Sequence, residues 1–301
     1  MISRMKRLGG TLTLLGAAAT LAVVGGSPGL AAARVIPGGQ AAASTVKASV
    51  SAAASTKSQD ELIPLYDNAS ASDWTQACST VNGAHGGSWI IADVDQGMGP
   101  GPAPVPAWTS VIDNCYQYGR ASVIGYVDTD YGQISIATVE SQIKAWYSFY
   151  PGNIAGIFFD RASDTIPGTT TSNVSYYRTL DSYVHKNHGD NDEAVLNYGA
   201  SPGSGWMFAS SNANNADIVV TFESDYDTYL TWTPAAWQAS YPASDFAALI
   251  YNTGESADPQ PASACSALAQ QNIGYVYVGT WYDALPPYFS GFLADAAQGA
   301  C

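Results

Sequence analysis

Short apolar runs alternate with amphipathic stretches from about residue 61 almost to the end of the chain. Eight runs read as strands: 63–67, 89–95, 121–128, 154–160, 193–198, 218–223, 246–252 and 275–281. The clearest is Ile154-Ala155-Gly156-Ile157-Phe158-Phe159-Asp160, which is apolar throughout and stops on a carboxylate. A continuous apolar run of this length fits a strand buried on both faces, as strands of parallel sheets are. Helical patterns fall between the runs, at 72–81, 106–118, 135–150, 173–188, 262–271 and 288–297. In the third of these, Ile136, Val139, Ile143 and Trp146 recur at spacings of three and four, with Glu140 and Lys144 one turn apart. Pro106 suits a first helical turn. The pattern is weakest after the fifth and sixth strands. There 199–216 is rich in Gly, Ser and Asn and reads as loop, and 233–242 offers only a short helix around Trp237. Strand and helix alternating in this way predict the α/β class, as a single (β/α)8 barrel over residues 61–301.

The stretch before the barrel has a different character. Residues 1–33 carry Arg4, Lys6 and Arg7, then an apolar core over 12–24, then Ala31-Ala32-Ala33. This is the layout of a secretory signal peptide cleaved near Ala33, and the apolar core is too short for a membrane span. Residues 34–60 are rich in Ala and Ser and read as a disordered linker. The expected product is a secreted, extracellular monomer. With 25 acidic against 11 basic residues the chain carries a net charge of −14. An acidic surface repels nucleic acid and anionic lipid and tolerates a neutral or cationic partner. The four cysteines suit two disulfides in an exported chain, and spacing favours Cys78–Cys115 and Cys265–Cys301. No CxxC pair is present and His is scarce, so neither a metal nor a cofactor is expected. His185 and His188 are read as solvating or capping the end of their helix.

The candidate chemistry lies at the strand ends. These carry Asp67, Asp93, Asp95, Asp128, Asp130, Asp160, Asn197, Glu223, Asn252 and Asp283, whereas the helices carry few acids. Aromatic residues share the same ends: Tyr66, Tyr126, Tyr131, Tyr198, Tyr226, Tyr251, Trp281 and Tyr282. Carboxylates beside aromatic rings suit a sugar site, because rings stack on pyranose faces while acids bind hydroxyls and move protons. A polysaccharide is the expected partner.

Four segments then match a known family in order: Ile63-Pro64-Leu65-Tyr66, Gly125-Tyr126-Val127-Asp128-Thr129-Asp130-Tyr131-Gly132, Gly156-Ile157-Phe158-Phe159-Asp160 and Val219-Val220-Thr221-Phe222-Glu223. Together they resemble the spherulin-4 family, whose characterised fungal members form glycoside hydrolase family 135. The resemblance implies a (β/α)8 glycosidase acting on a galactosamine-containing polysaccharide. It also implies that Asp160 and Glu223 are catalytic. Where the family has a Glu after the first of these acids, this chain has Arg161. The carry-over therefore stops at Asp160 and Glu223.

One carboxyl must donate a proton and the other act as base or nucleophile. Glu223 is assigned as the acid, shielded from water by Phe222 and nearby aromatics, with the roles open to exchange. Asp160 is assigned as nucleophile, or as the group that positions a 2-acetamido substituent. Asp67, Tyr126, Asp128, Asp130, Tyr131, Arg161, Asn197, Tyr251 and Trp281 are expected to bind substrate. Among them Asp67, Asp128 and Asp130 would pair with a free amine, and Tyr131 and Trp281 would act as stacking platforms. An inward Arg161 would act on Asp160, and an outward one would be a plain surface ion-pair residue. The alternative function is a catalytically inactive carbohydrate-binding or cell-surface protein. A Ca²⁺ site from Asp93, Asp95, Asp128 and Asp130 is a further alternative.

Overall fold

The computed structural model describes residues 58–66, 68, 71–81, 87–119, 121–189, 191–203, 216–254 and 260–298, with 260–262 as backbone alone. The expected signal segment, most of the linker, Asp67 and Cys301 lie outside these residues.

Eight parallel strands close into a barrel in sequence order. They are β1 (Asp60–Leu65), β2 (Ser88–Ala92), β3 (Ala121–Asp128), β4 (Ile154–Asp160), β5 (Glu193–Asn197), β6 (Ile218–Asp225), β7 (Phe246–Tyr251) and β8 (Tyr275–Val278). Closure is made by β1 against β8, with Asp60 opposite Tyr275 and Glu61 opposite Val276. The helices are α1 (Ser72–Thr80), α2 (Pro106–Tyr118), α3 (Ile136–Phe149), α4 (Val174–His188), α5 (Tyr226–Tyr229), α6 (Gln260–Gln270) and α7 (Phe289–Ala297).

Local chemistry accounts for several boundaries. Pro106 opens α2, and Gly119 closes it in the left-handed conformation, donating its N–H to the carbonyls of Cys115 and Tyr116. The Ser135 hydroxyl caps α3 by accepting from the Thr138 N–H at 3.2 Å. Val139, Ile143 and Trp146 form the buried stripe that the spacing predicted. Trp146 lies against β3 at Gly125, where a Cβ would sit 2.5 Å from the indole ring. Its Nε1–H donates to the Tyr126 carbonyl at 2.9 Å. This pins the strand that carries Tyr126 and Asp128.

Several sequence readings need adjustment, beginning with the first and second strands, which end at Leu65 and Ala92 and not at 67 and 95. The eighth strand stops at Val278, three residues short of Trp281, so Trp281 sits in the loop that follows. The Tyr277 hydroxyl donates to the Trp281 carbonyl at 2.8 Å and holds that turn. Phe222 does not shield Glu223. Neighbouring residues of a strand face opposite sides, and Phe222 packs outward on Tyr229 and Trp232, with ring centroids 5.9 and 4.8 Å away. The weak region around Trp237 is a short 3-10 turn, Ala236–Ser240, and α5 is a single turn capped by Asp225. Cys78 and Cys115, both buried, are joined in a disulfide that staples α1 to α2. The other expected bridge falls on Cys301, outside the described residues.

Candidate active site

Asp160 is the last residue of β4, and Asn197 is the last residue of β5. Glu223 sits near the end of β6. A parallel barrel brings all strand C-termini to one mouth. Asn197 is the hinge of the cluster. Its Nδ2 donates to Asp160 Oδ1 at 2.7 Å and to Glu223 Oε2 at 2.6 Å. Laid end to end, these legs put the two carboxylate oxygens no more than about 5.3 Å apart. The orientation of the amide is set by the backbone. Asn197 Oδ1 accepts from the Gly199 N–H at 3.0 Å, so the NH2 must face the acids. Gly199 has φ 63°, a left-handed conformation suited to glycine. Its carbonyl accepts the Glu223 N–H at 3.1 Å.

The other oxygen of Asp160 accepts from the Tyr126 hydroxyl at 2.6 Å. Tyr66 and Tyr282 complete a phenolic wall. Tyr66 meets Tyr126 and Tyr282 edge-on at 5.8 and 5.6 Å. Enclosure pushes the Tyr66 hydroxyl well above its ordinary range, and the charges of Asp160 and Glu223 push it further. Enclosure and then the charge of Glu223 do the same to Tyr282. These phenols stay protonated at any physiological pH, so they add no charge to the wall beside the acids.

The sequence places Tyr66, Tyr282 and Asp93 at the strand ends but assigns them no catalytic or substrate-binding role. Asp93 follows β2 and accepts the Gly97 N–H at 2.7 Å. Burial raises its carboxyl to about 6; the Gly97 bond opposes this, and the charges of Asp160 and Asp95 add to it. The signal was present in the pair of acids ending the second strand-like run, but nothing in the run says which of the two faces Asp160.

Asp128, Asp130, Tyr131 and Arg161 form a second group beside the first. Arg161 has φ 52°, so the backbone kinks immediately after Asp160. Non-glycine residues adopt this conformation at a cost of about 1–2 kcal/mol. The kink swings the guanidinium sideways to β3. Nε donates to Asp128 Oδ1 at 2.8 Å, Nη2 pairs with Asp128 Oδ2, and Nη1 lies 2.9 Å from Asp130 Oδ1. Its carbon centre stands 5.4 Å over the Tyr131 ring. The Asp128 bonds hold the guanidinium above its usual range, against a smaller opposing effect of burial. Thus Asp128 and Asp130 are already paired with a cation of the protein, which leaves them poorly placed to receive a substrate amine. The Ca²⁺ alternative loses two of its four ligands for the same reason. Arg161 is neither turned onto Asp160 nor a plain surface residue. Thr129 ties the kink down, donating its hydroxyl to the Asp160 carbonyl at 2.8 Å.

Trp281 and Tyr251 form a third group. Their rings stack at 5.7 Å and 23°, and Trp281 is 55% exposed. Tyr251 meets Tyr282 edge-on at 5.7 Å. An aromatic belt therefore runs from the exposed indole to the carboxylates. Asp67 lies outside the described residues.

The family model described as Spherulation-specific family 4 matches residues 61–296. Spherulin-4 of Physarum polycephalum is 27% identical over 241 residues, covering 80% of this chain; the chain spans 64% of that protein's length. The barrel is similar to the crystal structure of Aspergillus clavatus Sph3 in complex with GalNAc, with a TM-score of 0.64 and 22% identity, over 80% of this chain and 99% of that one. At this identity the likeness is one of fold.

Proposed function

The chain belongs to spherulation-specific family 4, and from that premise we propose that it is a secreted glycoside hydrolase acting on a hexosamine-containing polysaccharide. The observation that carries the reading is the shared Asn197 amide, which holds Asp160 and Glu223 side by side at the mouth. Two carboxylates flanking one bond are the minimum equipment for glycoside hydrolysis. A separation of about 5–5.5 Å is the spacing of retaining enzymes, and about 6.5–9.5 Å that of inverting ones. The anomeric configuration of the released sugar, read by NMR, distinguishes the two.

In this reading Asp160, held by Tyr126 and Asn197, faces the anomeric carbon or the 2-acetamido group. Glu223 gives its proton to the leaving oxygen. Trp281 and Tyr251 supply a stacking platform for a flanking sugar. The complex of Sph3 with GalNAc makes N-acetylgalactosamine polymers the first substrates to test. Arg161, standing where the resemblance implies a Glu, favours a second reading, in which the barrel binds the glycan without cleaving it.

One experiment separates the two. Purified protein is incubated with galactosamine, N-acetylgalactosamine and N-acetylglucosamine polymers, and new reducing ends are measured. Release that disappears in both Asp160→Asn and Glu223→Gln supports the hydrolase. Binding without release in the wild type supports the second reading.

A further inference from the structure

At the opposite end of the barrel three side chains from distant parts of the sequence converge. Asp181 and His185 lie one turn apart on α4 and share a face of that helix. Asp217 stands immediately before β6. His185 Nε2 is 3.4 Å from Asp181 Oδ1 and 3.1 Å from Asp217 Oδ2, and all three atoms lie within 4.8 Å of one another. Hydrogen bonding within the protein does not account for this arrangement. Asp181 is 7% exposed, and its Oδ1, which faces the cluster, is enclosed and accepts no hydrogen bond. The imidazole Nε2 stands between the two carboxylate oxygens in ion-pair contact with both, a position that one N–H can share only as a long bifurcated bond. Asp217 Oδ2 also accepts the Ala194 N–H at 2.7 Å. This fixes its position and leaves a second lone pair directed elsewhere.

We propose that Asp181, His185 and Asp217 bind a divalent transition-metal cation. Metal–nitrogen and metal–oxygen bonds of about 2.0–2.2 Å require neighbouring donor atoms to be roughly 2.9–3.5 Å apart, from octahedral to tetrahedral geometry. Both measured separations fall in that interval. One imidazole with two carboxylates suits Zn²⁺, Mn²⁺ or Ni²⁺ better than Ca²⁺, which prefers oxygen ligands. Water would complete the coordination. The two carboxylates balance the cation's charge. Glu193, at the start of β5, adds a further negative charge near Asp217 and His185, while Arg178 stands one turn before Asp181.

The role is structural. Asp217 and Glu223 are six positions apart, which is about 20 Å along a strand, so the cation would not touch the carbohydrate site. It would clip α4 to β6 at the point where β5 and β6 share only a short ladder from Val195 to Asn197.

The test uses tag-free full-length protein stripped with a chelator. Titration with Zn²⁺ should show one tight site per chain and raise the melting temperature, and EDTA should reverse the rise. Co²⁺ substitution should give visible absorption bands. His185→Gln and Asp217→Asn should each weaken Zn²⁺ binding by at least about 10-fold and remove the melting shift, with the far-UV circular dichroism unchanged. A wild type whose melting temperature is indifferent to both Zn²⁺ and EDTA overturns the proposal, whatever the variants do. Folded variants that bind Zn²⁺ as tightly as the wild type overturn it too.

Discussion

Replacing Asn197 with alanine removes the donor that Asp160 and Glu223 share. Asn197 is 4% exposed, so water does not take its place freely. The substitution deletes the hydrogen bonds from Nδ2 to Asp160 Oδ1 and Glu223 Oε2, and losing a hydrogen bond to a charged group costs about 1.5–3 kcal/mol. In a barrel of this size that corresponds to a fall in melting temperature of about 3–12 °C. The cost in turnover should be larger. Without the bridge the two carboxyl groups no longer hold one geometry, and misplacement by about 1 Å costs on the order of 10²-fold. Asn197→Asp should be worse than Asn197→Ala, because it puts a third carboxylate where the donor was. Melting followed by circular dichroism, and reducing-end release from whichever polymer the wild type cleaves, read the two effects separately. An Asn197→Ala protein with wild-type melting and wild-type turnover would refute the idea that this amide organises the site.

Other perturbations have equally definite outcomes. Asp160→Asn and Glu223→Gln should each lower turnover by at least about 10²-fold while leaving the fold intact; cleavage surviving in either removes that residue from the chemistry. Arg161→Ala frees Asp128 and Asp130, so a de-N-acetylated, cationic oligomer should bind more tightly by calorimetry, while stability falls by no more than about 1 kcal/mol because the side chain is 40% exposed. An unchanged affinity would mean that Asp128 and Asp130 do not reach substrate. Removing the Cys78–Cys115 bridge, which spans a sequence separation of 37, should cost about 2–4 kcal/mol in a chemical-denaturation experiment on the Cys78→Ala/Cys115→Ala protein. Glu61, buried at the floor of the barrel beside Ser88, has its carboxyl raised from 4.5 to about 7 by burial. The unfolded chain therefore ionises first, so stability declines as pH rises from about 4.5 to about 7 and stays lower above that, by about 3 kcal/mol. Glu61→Gln should raise the melting temperature at pH 8 more than at pH 5, and an equal effect at both would contradict this.

Much of the fold was legible because a parallel barrel leaves a strong local trace. Strands buried on both faces must be apolar throughout, helices must be apolar on one stripe, and the two periods differ. The bounds of β3, β4 and α2 coincide with the stretches read from the sequence, because each is closed by a local signal: a carboxylate after an apolar run, or Pro106 and Gly119 around a helix. The acids at the strand ends were legible for the same reason, since topology sends every strand C-terminus to one mouth. Which acids meet there, and what they meet, was not. Asn197 is an ordinary strand-end residue until β4, β5 and β6 stand side by side, and only then does one amide reach two carboxylates. The direction of Arg161 depends on a single left-handed φ, which sequence does not encode for a residue of this type. Phe222 and Glu223 are neighbours in the chain yet face opposite sides of the barrel wall. His185 and Asp217 are separated by most of α4's exit and β5, and they meet at 3.1 Å only because α4 runs antiparallel to the strands it covers. Periodicity is a property of one segment, and it determined the segments. The site is a property of distances between segments, and packing alone decided those.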